Sequence, residues 1–162
     1  MKRFSYPSFI LLECAAVFIF FLLPPLFADR PFVLPPAPKG LYNQTVFFLT
    51  VIGAAAYEEL LYRFYTPHRL HTICHLYFPA ITGGTAACFL LTEFPALLLF
   101  AAAHRYLGIG SVVFAAAAGA VFRAAYIGFQ RIFHPAISLS LLVLVHSLWN
   151  MGVYCYLWMQ AG

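Results

Sequence analysis

Apolar runs of membrane-crossing length recur along this chain at about 9–27, 41–65, 84–104, 111–130 and 136–158. A crossing helix needs about 20 predominantly apolar residues at about 1.5 Å each, and each run is of that order. With 64% hydrophobic and 9% charged residues in a chain of 162, a water-soluble domain could not cover its apolar surface. Lipid offers no hydrogen bonds to the backbone, so a chain crosses it as helices or as a closed barrel. The polar–apolar alternation of barrel strands is absent. The expected fold is therefore all-α: a polytopic membrane helix bundle of about five transmembrane helices, forming a single membrane domain over 1–162 without internal repeats.

The first run follows Met1-Lys2-Arg3, as the apolar part of a secretory signal would. From its length, the interruption by Glu13 and the lack of a small-x-small site before Asp29, it is expected to be an uncleaved span instead. Pro31, Pro35, Pro36 and Pro38 then impose a stiff, extended connection. After the second run, 66–78 is more polar and carries Pro67, His68, Arg69, His71 and His75, which suits a re-entrant or interfacial segment. Pro95 is expected to bend the third span, and Gly108 and Gly110 to turn the chain into the fourth. There Ala115, Gly119, Ala124 and Ala125 let neighbouring backbones approach closely.

If every run crosses once, Lys2, Arg3, Arg69 and Arg131 share one side, and Arg30, Lys39 and Arg105 the other. The positive-inside rule then predicts a cytoplasmic N-terminus, in a multi-pass protein of the cytoplasmic (inner) membrane. The formal charge of +4 is scattered, so the lipid bilayer and not nucleic acid is the expected environment. The four cysteines form no CxxC pair and read as packing residues.

Against this background, Glu58, Glu59 and Arg63 at the end of the second run are costly, about 2.5–3.5 kcal/mol each at the centre of a membrane helix. Glu59 and Arg63 are four apart and face one another on a helix, as an ion pair would. Glu58 lies about 100° round the helix and is left for chemistry. Two further patterns share this character. Phe100 and His104 stand four apart with alanines between, and His146 and Asn150 stand four apart in the last run. Together they supply a carboxylate, two imidazoles and an amide, which suffices for hydrolysis. Each also has a plainer reading: Glu59 with Arg63 as a structural pair, either histidine as a packing residue, Asn150 as a bridge between helices. Elsewhere, Glu93 and Arg123 in different spans are expected to pair inside the bundle, and His71 and His75 to lie at the interface.

EExxxR, then FxxxH, then HxxxN, each in its own span and in this order, resembles the CAAX protease and bacteriocin-processing family (CPBP, or Abi) of intramembrane proteases. The likeness covers about 53–151, the expected catalytic core. It implies that Glu58 and His104 activate the attacking water and that His146 and Asn150 steady the oxyanion, with Glu59, Arg63 and Phe100 in support. The substrate would be a membrane-associated protein or peptide, and the chain, shorter than many relatives, could need an oligomer or partner subunit to close the bundle. Glu58, His104 and His146 are also a candidate Zn²⁺ set with water as fourth ligand, and a metal-free glutamate mechanism stands beside it. Readings from other classes are a non-catalytic scaffold or immunity protein, and a small proton or ion carrier using a Glu/His relay.

Depth raises one conflict. With the last run starting near His134, His146 lies about 18 Å and Asn150 about 24 Å along it, on the side where the third run delivers His104. A second span that ends just after Glu58, followed by a third that starts at Gly84 on the same side, would leave Glu58 and His104 at opposite faces. The segment 66–83 must then return part-way through the bundle, or the helices must be tilted and broken.

Overall fold

The computed structural model describes residues 34–80 and 85–161. The first expected span, 9–27, and the residues Lys2, Arg3, Glu13, Cys14 and Gly84 lie outside them. The described residues are helical: α1 (Leu41–Glu59), a π-helical stretch (Leu60–Tyr65), α2 (Thr66–Tyr77), α3 (Ala86–Ala103), a 3-10 turn (Arg105–Leu107), α4 (Ile109–Gln130) and α5 (Pro135–Ala161). Among them are four helices long and apolar enough to cross a membrane: Leu41–Tyr77, Ala86–Ala103, Ile109–Gln130 and Pro135–Ala161. The protein is a polytopic helical membrane protein, as its apolar runs require.

The main departure from expectation is that 66–77 does not turn back as a separate re-entrant piece. It continues the second span, so that Leu41–Tyr77 is one helix of 37 residues. Pro67 does not stop it because the regular ladder is already broken there. The backbone widens over Leu60–Tyr65, with the Thr66 N–H reaching Leu61 C=O, and proline falls in the first turn of α2, where its missing N–H is tolerated.

This continuity removes the depth conflict. The helix runs about 28 Å beyond Glu58 at 1.5 Å per residue, and α3 starts from that far end and returns along α2. Its 18 residues bring His104 back to the level of Glu58. The first half of the long helix packs instead on α5. There Phe47 meets Tyr154 edge-on at 5.2 Å, Trp158 lies 5.2 Å from Phe47, and the Trp158 Nε1–H donates to Pro35 C=O at 2.8 Å.

Burial is inverted relative to a soluble protein. Glu59, Arg63, Thr92, Ser138, His146 and Ser147 are buried, whereas Leu41, Ile109, Val113 and Val121 are exposed. That is the distribution lipid selects, since apolar side chains gain nothing by leaving it. The polar centre is closed by two apolar clusters, Leu61, Tyr62, Phe100 and Ala115 on one side and Phe122, Tyr126 and Leu142 on the other. Gly119 permits the close approach of α4. A Cβ there would lie 2.8 Å from Leu97 Cδ1, 2.9 Å from Phe100 Cδ1 and 3.2 Å from Arg63 Nη2.

Candidate active site

The site is built where the long helix, α3 and α5 meet. Glu58 and Glu59 are consecutive, and the helix turns them to different neighbours. Glu59 is fully buried and pairs with Arg63, Nε to Oε2 3.6 Å, as the spacing predicts. The Arg63 guanidinium also lies over the Phe100 ring, 4.1 Å from its centre. Glu59 has a second partner that helix periodicity could not reveal: its Oε1 accepts from His146 Nδ1 at 2.7 Å.

That contact fixes His146. A carboxylate can only accept, so Nδ1 carries the proton and Nε2 is turned toward the opposite side. There it meets Glu58, with Nε2 and Oε2 3.6 Å apart. The ring is held between Phe122, 4.5 Å away, and the edge of Phe100 at 6.4 Å.

His104 obtains the same tautomer by a different route. It ends α3, where the Phe100 carbonyl four residues back is free to accept, and Nδ1–H donates to it at 2.9 Å. Phe100 packs on the same ring at 4.8 Å. Each histidine therefore has Nδ1 tied to protein and Nε2 available.

Glu58, His104, His146 and Asn150 line one cavity of about 440 Å³, together with Phe100, Tyr106, Ser111, Trp149 and Tyr154. Of the sequence-predicted residues, these four and Phe100 come together at the cavity, and Glu59 and Arg63 stand behind it. Glu58 and His104 share the cavity wall, and Glu58 has a second neighbour that the motifs did not indicate, His146. Tyr106 escaped the motif reading, although it lies only two residues beyond His104 in the 3-10 turn. Burial first, then the Glu58 carboxylate and Tyr154, push its phenol above the usual tyrosine pKa.

The donor types would suit zinc, and histidines with a tied Nδ1 are the form that binds metals. Among the described residues, however, no three His, Cys, Asp or Glu side chains are arranged to hold a metal ion. What the cavity offers is a carboxylate, two Nε2 positions and an amide, inside an otherwise apolar wall.

Two comparisons bear on what such a cavity does. Residues 42–152 match the family model described as type II CAAX prenyl endopeptidase Rce1-like. An uncharacterized protein of Treponema pallidum (strain Nichols) is 35% identical over 147 residues, covering 87% of this chain and 75% of that protein. No solved structure matches. The family match takes in all three polar patterns, from Glu58 to Asn150, and agrees with the CAAX-protease resemblance they carry. The chain belongs to the Rce1-like family of type II CAAX prenyl endopeptidases, and is a peptidase of the membrane.

Proposed function

We propose that this protein is an intramembrane endopeptidase in which Glu58 and His104 activate water and His146 and Asn150 bind the oxyanion. What supports this reading is that these four side chains, from three helices, border a single cavity. A proton or ion carrier calls for groups strung along a path across the bilayer, and a scaffold calls for no cavity at all.

In the proposed reaction, Glu58 takes a proton from water, assisted by the free Nε2 of His104, and the hydroxide oxygen bonds to the scissile carbonyl carbon. The carbonyl π electrons move to oxygen, which is held by the Asn150 amide N–H and by His146, whose Nε2 donates when a second proton makes the ring an imidazolium. Glu59 on Nδ1 balances that imidazolium, and Arg63 balances Glu59. Collapse of the intermediate breaks the C–N bond, and the leaving amine receives the proton first taken from water. His146 is held on Glu59 before the substrate arrives, so that donor needs little reorganisation when charge develops.

The substrate is proposed to be a membrane-associated protein or peptide whose backbone lies across the cavity, with apolar side chains against Phe114, Phe122 and Trp149. The distribution of basic residues supports an inner-membrane location with a cytoplasmic N-terminus. The direct test is cleavage of quenched-fluorescence peptides, with and without a lipidated cysteine, by the full chain in proteoliposomes. Glu58→Ala and His104→Ala are expected to lose cleavage, each by about 10²-fold or more, while inserting and folding normally. Retained turnover in both variants refutes the reading.

A further inference from the structure

Arg123, in the second half of α4, takes no part in the proposed reaction, yet it reaches the helix that carries the acidic residues. Its guanidinium pairs with Glu93 of α3, as their separate spans suggested, and lies 5.4 Å over the Tyr126 ring. Its Nη1 also donates to the backbone carbonyl of Arg63 at 3.1 Å.

That carbonyl lacks its usual donor. In an α-helix it would accept from the N–H of residue 67, and Pro67 has none. A carbonyl deprived of that donor in an apolar bundle is costly, and Arg123 offers it a donor from another helix. The residue so braced is the one whose side chain pairs with Glu59, and Glu59 in turn orients His146. A second cavity of about 300 Å³ borders Arg63, Pro67, Glu93 and Arg123, so side chains do not close around the brace on that side.

We propose that Arg123, anchored by Glu93, is a positioning residue for the active site: it stabilises the Pro67 break, and thereby sets where Arg63, Glu59 and His146 stand. The inference rests on the peptidase reading for its kinetic consequence and on backbone geometry for its structural one.

The test uses the full chain in proteoliposomes and compares Glu93→Gln, the pair-deleted Glu93→Gln/Arg123→Met, and the pair-deleted protein with Pro67→Ala added. The paired substitution leaves no unpartnered carboxylate. It should lower kcat by ~10- to 100-fold, leave KM within about twofold, and move the ¹⁵N signal of His146 Nδ1. Glu93→Gln alone keeps the Arg123 donor and should retain most of the activity. Adding Pro67→Ala returns an N–H to the helix and should recover both kcat and the His146 signal. If it recovers neither, or if the pair-deleted protein matches wild type, the proposal is overturned. Where the pair-deleted protein fails to fold, recovery of folded protein by Pro67→Ala supports the brace, and no recovery overturns it. Failure of the wild type to cleave any peptide would sink the peptidase reading alone, since the His146 signal still reports on the brace.

Discussion

Glu59 Oε1 accepts a hydrogen bond from His146 Nδ1 at 2.7 Å, across two helices and 87 residues of sequence. Both side chains are buried, and the same carboxylate faces Arg63 through its other oxygen. A neutral amide at position 59 could neither balance an imidazolium nor offset the buried guanidinium. Glu59→Gln is therefore expected to cost about 3 kcal/mol of stability and to reduce kcat by roughly 10²–10³-fold, as loss of an oxyanion donor does. Thermal unfolding in detergent and peptide cleavage measure the two effects separately. Wild-type kcat in this variant would remove His146 from the proposed oxyanion site.

Asn150 should behave differently. It stands at the cavity, one turn beyond His146, and is only half-buried. Asn150→Ala is expected to lower kcat by about 10²-fold with KM and unfolding temperature nearly unchanged. A rise in KM at constant kcat would instead mark Asn150 as a residue that binds the substrate uniformly in the ground and transition states.

Gly119→Ala sets helix propensity against space. Alanine is favoured over glycine inside a helix by up to ~1 kcal/mol, but the added methyl would meet Phe100 Cδ1 at 2.9 Å. The Leu97 methyl can move aside. The Phe100 ring cannot do so easily, because Arg63, Tyr62, His104 and His146 all lie against it. The substitution is expected to be destabilising by a net ~1–2 kcal/mol and to impair cleavage. Gly128 in the same helix has nothing within 4 Å of a built Cβ, and Gly128→Ala is the neutral or mildly stabilising control. Equal unfolding temperatures for the two variants would contradict the close contact at 119.

Tyr106 offers a pH measurement. Because burial and then Glu58 raise its pKa, the folded state favours the neutral phenol. Its contribution to stability is intact below a pH of about 10, the unfolded value, and is lost as pH rises through the higher folded value. The ultraviolet titration of wild type minus that of Tyr106→Phe should show one tyrosinate forming above pH ~10. A midpoint at or below the ordinary value would show that neither burial nor Glu58 acts on the phenol.

Zinc chemistry is tested independently of the side chains. The proposed route predicts that cleavage survives exhaustive chelation, and that purified protein carries far less than one zinc per chain. Loss of activity on chelation, restored by added Zn²⁺, would replace that route with a metal-assisted one.

Much of the site was legible because helix periodicity is local. Glu59 with Arg63, Phe100 with His104, and His146 with Asn150 each stand four apart, so one turn of helix brings each pair to one face whatever the rest of the chain does. Charge in an apolar run is expensive enough to single out Glu58, Glu59 and Arg63 without a structure. The end of the second span, expected at 65, came too early for an equally physical reason. A proline reads as a helix stop in sequence, whereas a widened turn before it and a donor from Arg123 let the helix continue.

By itself, then, the sequence determined the class of fold, the family and the identities of the polar residues, because lipid forces the backbone into helices and makes every buried charge conspicuous. Tertiary structure alone decided their partners. Which oxygen of Glu59 meets His146, which nitrogen of each histidine is left free, and how His104 returns to the level of Glu58 all depend on where separate helices lie side by side. No spacing along one chain encodes those distances.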